Sequence, residues 1–423
     1  MYSIGLLLSL YLAQGLPVGF LTQALPAILR QNHVSLAAIG GFGLLMAPWA
    51  LKFLWAPLVD RYFFASFGQS RSWIIPTQIL TVVFLAIISL LEPNQLASPF
   101  ILLGFFIVLF LINVMGATQD IATDGLAVRL LQKNQQHWGN AVQVLGSRLG
   151  FIFGGGAVLL LLDIWSWQMV FGLLTVLVFL NGLPVFLFKE PRWQHQQQVD
   201  ALQPMTKNWL GFFKSEFAYF WQNRLMRGWL LVLLTFKAAD GLSSAMVKPM
   251  MVDMGFRLSD IGLMVSMLGA LASLLGALLA ALLMKIMSRS TALWGFNLLQ
   301  AVGIALYGVL AWQYQHWHSV VPWQVYAVNA FEHAVSAMAL VAVLTVVMDY
   351  SRKKQAGSDF TFQVSIMAMV LGGLHIISGL LAEAAGYVGL FAISTGLALV
   401  CLLPVFYWRR LLPREEVKAF DKC

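Results

Sequence analysis

The chain has 423 residues, 60% of them hydrophobic and 10% charged, with a mean hydropathy of +0.78 and a net charge of +8. A soluble domain carries about 25% charged residues, so these figures exclude an ordinary soluble enzyme or nucleic-acid-binding module and point to a polytopic membrane protein. Two cysteines, Cys401 and Cys423, exclude a disulfide framework and a multi-cysteine metal site.

A helix crossing about 30 Å of hydrocarbon needs about 20 residues. Hydropathy predicts spans over 3–29, 35–59, 72–91, 98–127, 139–161, 166–188, 226–251, 258–283, 292–312, 321–349, 360–383 and 386–408. The first lacks a basic lead and is too long for a cleavable signal, so it reads as helix 1. The fold class is therefore an all-α membrane protein of twelve transmembrane helices. It divides into an N-terminal six-helix bundle (1–188), a polar linker (189–225), a C-terminal six-helix bundle (226–408) and a tail (409–423). Twenty of the 26 basic residues fall on one side of this map. The opposite loops 92–97, 162–165, 313–320 and 384–385 hold none, and Arg30 and Arg257 stand alone in the other two. By the positive-inside rule, linker and both termini are cytoplasmic. Within the linker, Trp209–Trp221 has the pattern of a surface-lying amphipathic helix.

Ionisable and amide side chains inside the spans mark a solute pathway, because a charge in lipid is costly and is kept where it is used. Helix 1 offers Gln14 and Gln23 around Gly15, Pro17, Gly19 and Pro26, which loosen the helix and free backbone groups. Helix 2 carries Trp49 and Lys52. Lys52, Asp120 of helix 4 and Arg148 of helix 5 all lie on the order of 12 Å inside the cytoplasmic edge at 1.5 Å per residue. That depth suggests an Asp120–Arg148 pair, with Lys52 as the alternative partner of Asp120; such a pair either meets the solute or clamps helices 4 and 5. Asp124 lies one turn nearer the cytosol. In the second half, Lys237 and Asp240 are spaced i,i+3 on helix 7. Glu332 of helix 10 and His375 of helix 11 fall near mid-membrane, where a carboxylate or imidazole can load and unload a proton. Glu332 is the first candidate for proton coupling and Asp240 the second. There is no GxSxG, HExxH or Walker motif, so no enzyme and no cofactor is expected, and active transport must draw on an ion gradient.

Two short matches hint at a repeat: Leu36…Ile39-Gly40 with Leu258…Ile261-Gly262, and Gln143-Val144 with Gln363-Val364. With six helices either side of the linker, they fit the parallel repeat of major facilitator transporters. Ala56–Arg61 (APLVDR), followed by Gly68 and Arg71, resembles that superfamily's loop 2–3 signature. The resemblance implies a gating role for Asp60 and Arg61, joined by Asp124, in which the acid pairs with basic groups or a helix end. The matching loop Lys285–Arg289 has no acid, which suggests a one-sided latch.

Tyr11–Phe20 (YLAQGLPVGF), Lys52–Arg61 (KFLWAPLVDR), Ala117–Asp124 (ATQDIATD) and Val144–Gly150 (VLGSRLG) resemble the AmpG and acetyl-CoA transporter branch. AmpG-type muropeptide permeases are longer, with two additional helices. Gln23–Arg30 (QALPAILR) and Gln119–Leu131 (QDIATDGLAVRLL) are more similar to the RhtX/FptX siderophore importers. The resemblance thus implies a bacterial inner-membrane secondary transporter for proton-coupled siderophore import, its partners being a small solute, a proton and the bilayer. The alternatives are an AmpG-like muropeptide permease and a transporter-fold sensor. A reporter fused at Cys423 is expected to be active only in the cytoplasm; periplasmic activity would overturn the orientation.

Overall fold

The computed structural model describes residues 2–25, 28, 45–64, 66–91, 95, 98–162, 164–191, 217–261, 264 and 267–412. Pro26, Arg30, Leu36, Ile39, Gly40 and Gly262, most of the linker, and the tail beyond Leu412 lie outside them. Each of the twelve predicted spans contains helix, and no strand occurs among the described residues. Nine helices there are long and apolar enough to cross a membrane.

Helix α1 (Tyr2–Gly19) carries Pro17 and runs into a π turn, Phe20–Ala24. Helix α2 is fragmented into Ala47–Leu51, a 3-10 turn at Lys52–Leu54, and Ala56–Arg61. Pro48 and Pro57 stand in the first turns of its α pieces, where a missing N–H does no harm. Helices α3 (Arg71–Ser89) and α4 (Pro99–Leu130) follow. Helix α5 begins at Gln136–Phe151, widens into a π turn at Ile152–Ala157 and ends with Val158–Leu162. Helix α6 spans Trp167–Leu187 and is capped by the Ser166 hydroxyl, which accepts from the Met169 N–H.

In the second half, α7 is broken into Arg224–Phe236, Ala238–Ser244 and Val247–Asp253. Helix α8 comprises Leu258–Ile261 and Gly269–Leu283, and α9 (Arg289–Trp317) and α10 (Pro322–Asp349) are unbroken. Helices α11 and α12 meet inside the hydrogen-bonded stretch Ala356–Val400, where Gly386 leaves helical space at φ 67°. That left-handed conformation suits glycine, so one residue serves as the connection. Helix α12 continues into Leu402–Leu411.

The chain forms two compact units. Unit 1 is Met1–Leu131, Val142–Gln203 and Ser351–Thr361; unit 2 is Gln132–Ala141, Pro204–Tyr350 and Phe362–Cys423. One core of unit 1 gathers Leu16, Phe20, Leu109, Trp167 and Phe171; another joins Leu6, Val59, Ile74 and Leu126. Unit 2 packs Met250, Met264, Ile304, Tyr307, Val325 and Phe391. Large apolar side chains such as Phe100, Leu103 and Ile107 on α4 face outward, as expected of a lipid-facing stripe.

In unit 1, α1 and α5 touch backbone to backbone. A Cβ added at Gly154 would lie 1.9 Å from the Leu16 carbonyl oxygen, so only glycine fits, as at small-residue crossings of membrane helices. Gly154→Val should lower stability by about 1–3 kcal/mol through overpacking. Gly156→Ala, where nothing lies within 4 Å, should be neutral. Thermal unfolding of the purified protein in detergent checks this; equal midpoints for both variants would contradict the packing.

Candidate functional site

The buried polar groups of unit 1 converge where α2 is broken. Lys52 ends the Ala47–Leu51 piece, where free carbonyls favour a cation, and its ammonium pairs with Asp120 of α4. Both residues are almost fully buried, and Lys52 Nζ lies 5.6 Å from the centre of the Trp49 ring. The expected Asp120–Arg148 pair is thus corrected in favour of Lys52. The Arg148 guanidinium lies over the Phe151 ring at 5.9 Å. Depth along the helices leaves all three groups eligible; direction around the helix axes decides the partner.

Asp124, one turn along, accepts from Tyr11 Oη at 2.9 Å and from Gln143 Nε2 at 3.1 Å. It sits in this charged layer, away from the Asp60 partners described below. Beside the layer opens a narrow, water-sized cleft lined in part by Gln14, Trp49, Gln78, Thr81, Asn113 and Gln119. Gln14 Nε2 donates to Thr123 Oγ1 at 3.0 Å, Gln119 Nε2 to Gln78 Oε1 at 2.8 Å, and the Trp49 indole to Asn113 Oδ1 at 2.9 Å. Gln23 lies on the exposed side of the π turn, its amide 3.4 Å from Thr22 Oγ1.

A second network in unit 1 surrounds Asp60, at the end of α2. Its carboxylate accepts from the Ser358 N–H at 2.6 Å, the Ser358 hydroxyl at 2.8 Å and the Gly357 N–H at 3.3 Å. Those N–H groups open α11, so the acid caps a helix N-terminus. Arg129 lies 3.4 Å from Asp60 and donates to Ser70 Oγ at 2.6 Å. Asp60 is buried and Arg61 half-buried; the basic residue closing this network is Arg129, which in the sequence looks like one more topogenic charge. Nearby, Arg352 grips Asp359 through Nε and Nη2, both at 2.8 Å.

Unit 2 holds the rest. Lys237 occupies the first break of α7 and pairs with Asp240 at 2.7 Å, as the i,i+3 spacing predicts. Ser244 Oγ donates to the Asp240 carbonyl and lies 3.0 Å from His375 Nε2, bringing His375 to the same cluster. Glu332 is half-buried with its carboxylate 3.3 Å from His333 Nδ1, which also lies 3.0 Å from the Asn329 carbonyl. Arg289 forms a buried pair with Asp349 of α10 and donates to the Lys133 carbonyl at 2.7 Å and Gln136 Oε1 at 3.1 Å. Loop 8–9 itself holds no acid, as the sequence shows; the carboxylate that Arg289 meets stands at the end of α10. Among the described residues, no group of His, Cys, Asp and Glu could hold a metal ion.

Comparison with known proteins agrees with this architecture. Residues 3–165 match the family model for acetyl-coenzyme A transporter 1, and 229–422 match the Major Facilitator Superfamily model. An uncharacterized protein of Haemophilus influenzae is 31% identical over 96% of this chain and 94% of its own length. The anhydromuropeptide permease of Escherichia coli is 28% identical over 97% of this chain and 81% of its own. Among solved structures, the proton:xylose symporter XylE superposes with a TM-score of 0.70 at 14% identity, covering 97% of this chain and 96% of its own.

Removing one member of a buried ion pair leaves an uncompensated charge, at about 3–5 kcal/mol. Lys52→Met and Asp120→Asn should each lower the folded yield, and the double variant should recover part of it. Asp120→Asn with Arg148→Gln should recover nothing. Recovery in the second pair but not the first, read by size-exclusion profile and thermal midpoint, would reverse the pairing.

Proposed function

We propose that this chain, which belongs to the major facilitator superfamily, is an inner-membrane permease that moves an anhydromuropeptide-type solute by alternating access. The observation that carries the reading is the amide-lined cleft against the buried Lys52–Asp120 pair. Such groups are costly inside apolar helices and are commonly kept where a solute path uses them, which supports this reading. A sensor without transport would leave them idle.

For the solute, similarity to the anhydromuropeptide permease supports the muropeptide alternative over siderophore import. Length does not count against it. The permease is the longer chain, but the match runs through 97% of this one, so any extra helices lie outside the shared part. The residues Gln23–Arg30 and Gln119–Leu131 that suggested siderophore import make up a small part of that match.

We assign proton coupling to Glu332. Its carboxylate and the His333 imidazole lie within reach of each other, so a proton taken up on one can be passed to the other. Asp240 is tied to Lys237, whose ammonium occupies the carboxylate and makes it a poorer carrier. Lys237 and His375 then serve the solute side of the same unit.

Purified protein in vesicles should accumulate labelled anhydromuropeptide when the outside is acidic, and should not accumulate a ferric siderophore. The opposite preference would overturn the solute. Glu332→Gln should abolish gradient-driven accumulation while leaving exchange of internal for external solute; accumulation that survives would remove Glu332 from the coupling.

A further inference from the structure

In unit 2, α5 and α9 begin side by side, and Arg289 holds them there. Its guanidinium donates to the Lys133 carbonyl at 2.7 Å and to Gln136 Oε1 at 3.1 Å, and its charge is matched by Asp349. The positive ends of two helices therefore adjoin, and the carboxylate beside them is already taken. Lys285, in the turn that follows α8, adds a further cation. Its Nζ lies 4.9 Å from the centre of the Trp138 ring, which fixes the ammonium over the start of α5. Among the described residues no carboxylate pairs with it.

His137, next to Trp138 in the chain, faces the same two cations, Arg289 and Lys285. The residue is only 7% exposed, and its Nε2 meets no hydrogen-bond partner among the described residues. A buried ring nitrogen without a partner is costly and calls for a polar group to meet it. An imidazole N–H, an ammonium and two helix starts in one corner all ask for an acceptor that carries negative charge.

The surface that leads to this corner is apolar. Leu275, Leu279 and Leu282 share one exposed face of α8 at spacings of four and three residues, and Ile286 continues it past the helix end. In a bilayer such a lane lies against acyl chains, and here it ends beside a cation. A soluble phosphate would need the cation but not the lane.

We propose that this corner is a binding site for an anionic phospholipid. Lys285 and the His137 Nε2–H hold its phosphate, and an acyl chain lies along the exposed face of α8. The site does not depend on which solute the chain carries.

The test titrates the full-length protein in detergent with phosphatidylglycerol and with zwitterionic phosphatidylcholine of the same acyl chains. Bound lipid is read by native mass spectrometry. One phosphatidylglycerol held at least about tenfold more tightly than phosphatidylcholine is expected. Lys285→Gln should weaken it about fivefold, and His137→Leu by a similar factor. His137→Gln keeps an N–H and should retain more. Lys353→Gln, at an exposed cation in the turn before α11, should change nothing. Excess inorganic phosphate should leave the lipid in place. Because Lys285 is exposed, its variant tests the site even if a change at buried His137 impairs folding. Equal retention of the two lipids, displacement by inorganic phosphate, or binding unchanged in both Lys285→Gln and His137→Leu would overturn the proposal.

Discussion

An ammonium inside hydrocarbon needs a counter-charge, and a broken helix inside hydrocarbon needs partners for the backbone groups it frees. Unit 1 meets both demands at one place. Lys52 sits where α2 breaks, presents its charge to the end of a helical piece, and closes the pair with Asp120. Because Asp120 is anchored there, the neighbouring face of α4 is oriented as well: Asn113 and Gln119 line the cleft, and Thr123 and Asp124 meet Gln14 and Tyr11 of α1. Unit 2 repeats the device on a smaller scale, with Lys237 at the break of α7 and Asp240 three residues on.

The outer ends of the helices arrange their charges differently. In unit 1 the acid at the end of α2 receives the first N–H groups of α11, and Arg129 neutralises what remains. In unit 2 the polarity is exchanged: a cation at the start of α9 pairs with an acid at the end of α10 and reaches the chain that leads into α5. Both networks combine a charge with backbone groups, so each depends on where the helix ends stand.

Much of this was legible in the sequence. Helix positions follow from hydropathy because lipid admits no other irregularity, and Gly386 falls one residue beyond the loop expected between the last two helices. The i,i+3 pair Lys237–Asp240 needed only helical geometry. The partner of Asp120 did not come out, because three groups at one depth differ in direction around their helices, and the break in α2 turns Lys52 by an amount no period predicts. The helix end that completes the Asp60 network was foreseen only as a type. Its donors are backbone N–H groups up to 298 residues away, and any residue supplies an N–H. Asp349 was missed for a simpler reason: it was counted as the last residue of a span rather than as a facing partner for loop 8–9.

The π turn in α1 has a consequence for which side chains share a face. Each residue of an α-helix advances roughly 100° around the axis, so nine steps from Gln14 to Gln23 would place them about 180° apart. One residue absorbed into a wider turn takes roughly 100° out of that sum and leaves about 80°. Gln23 is therefore rotated back from the far side and lies against α5, where a carbon added at Gly155 would stand 2.6 Å from its Cβ, while Gln14 faces Thr123 of the neighbouring α4. The extra residue acts as a phase shift: a helix that would divide its two glutamines between opposite surfaces instead turns them toward neighbouring helices.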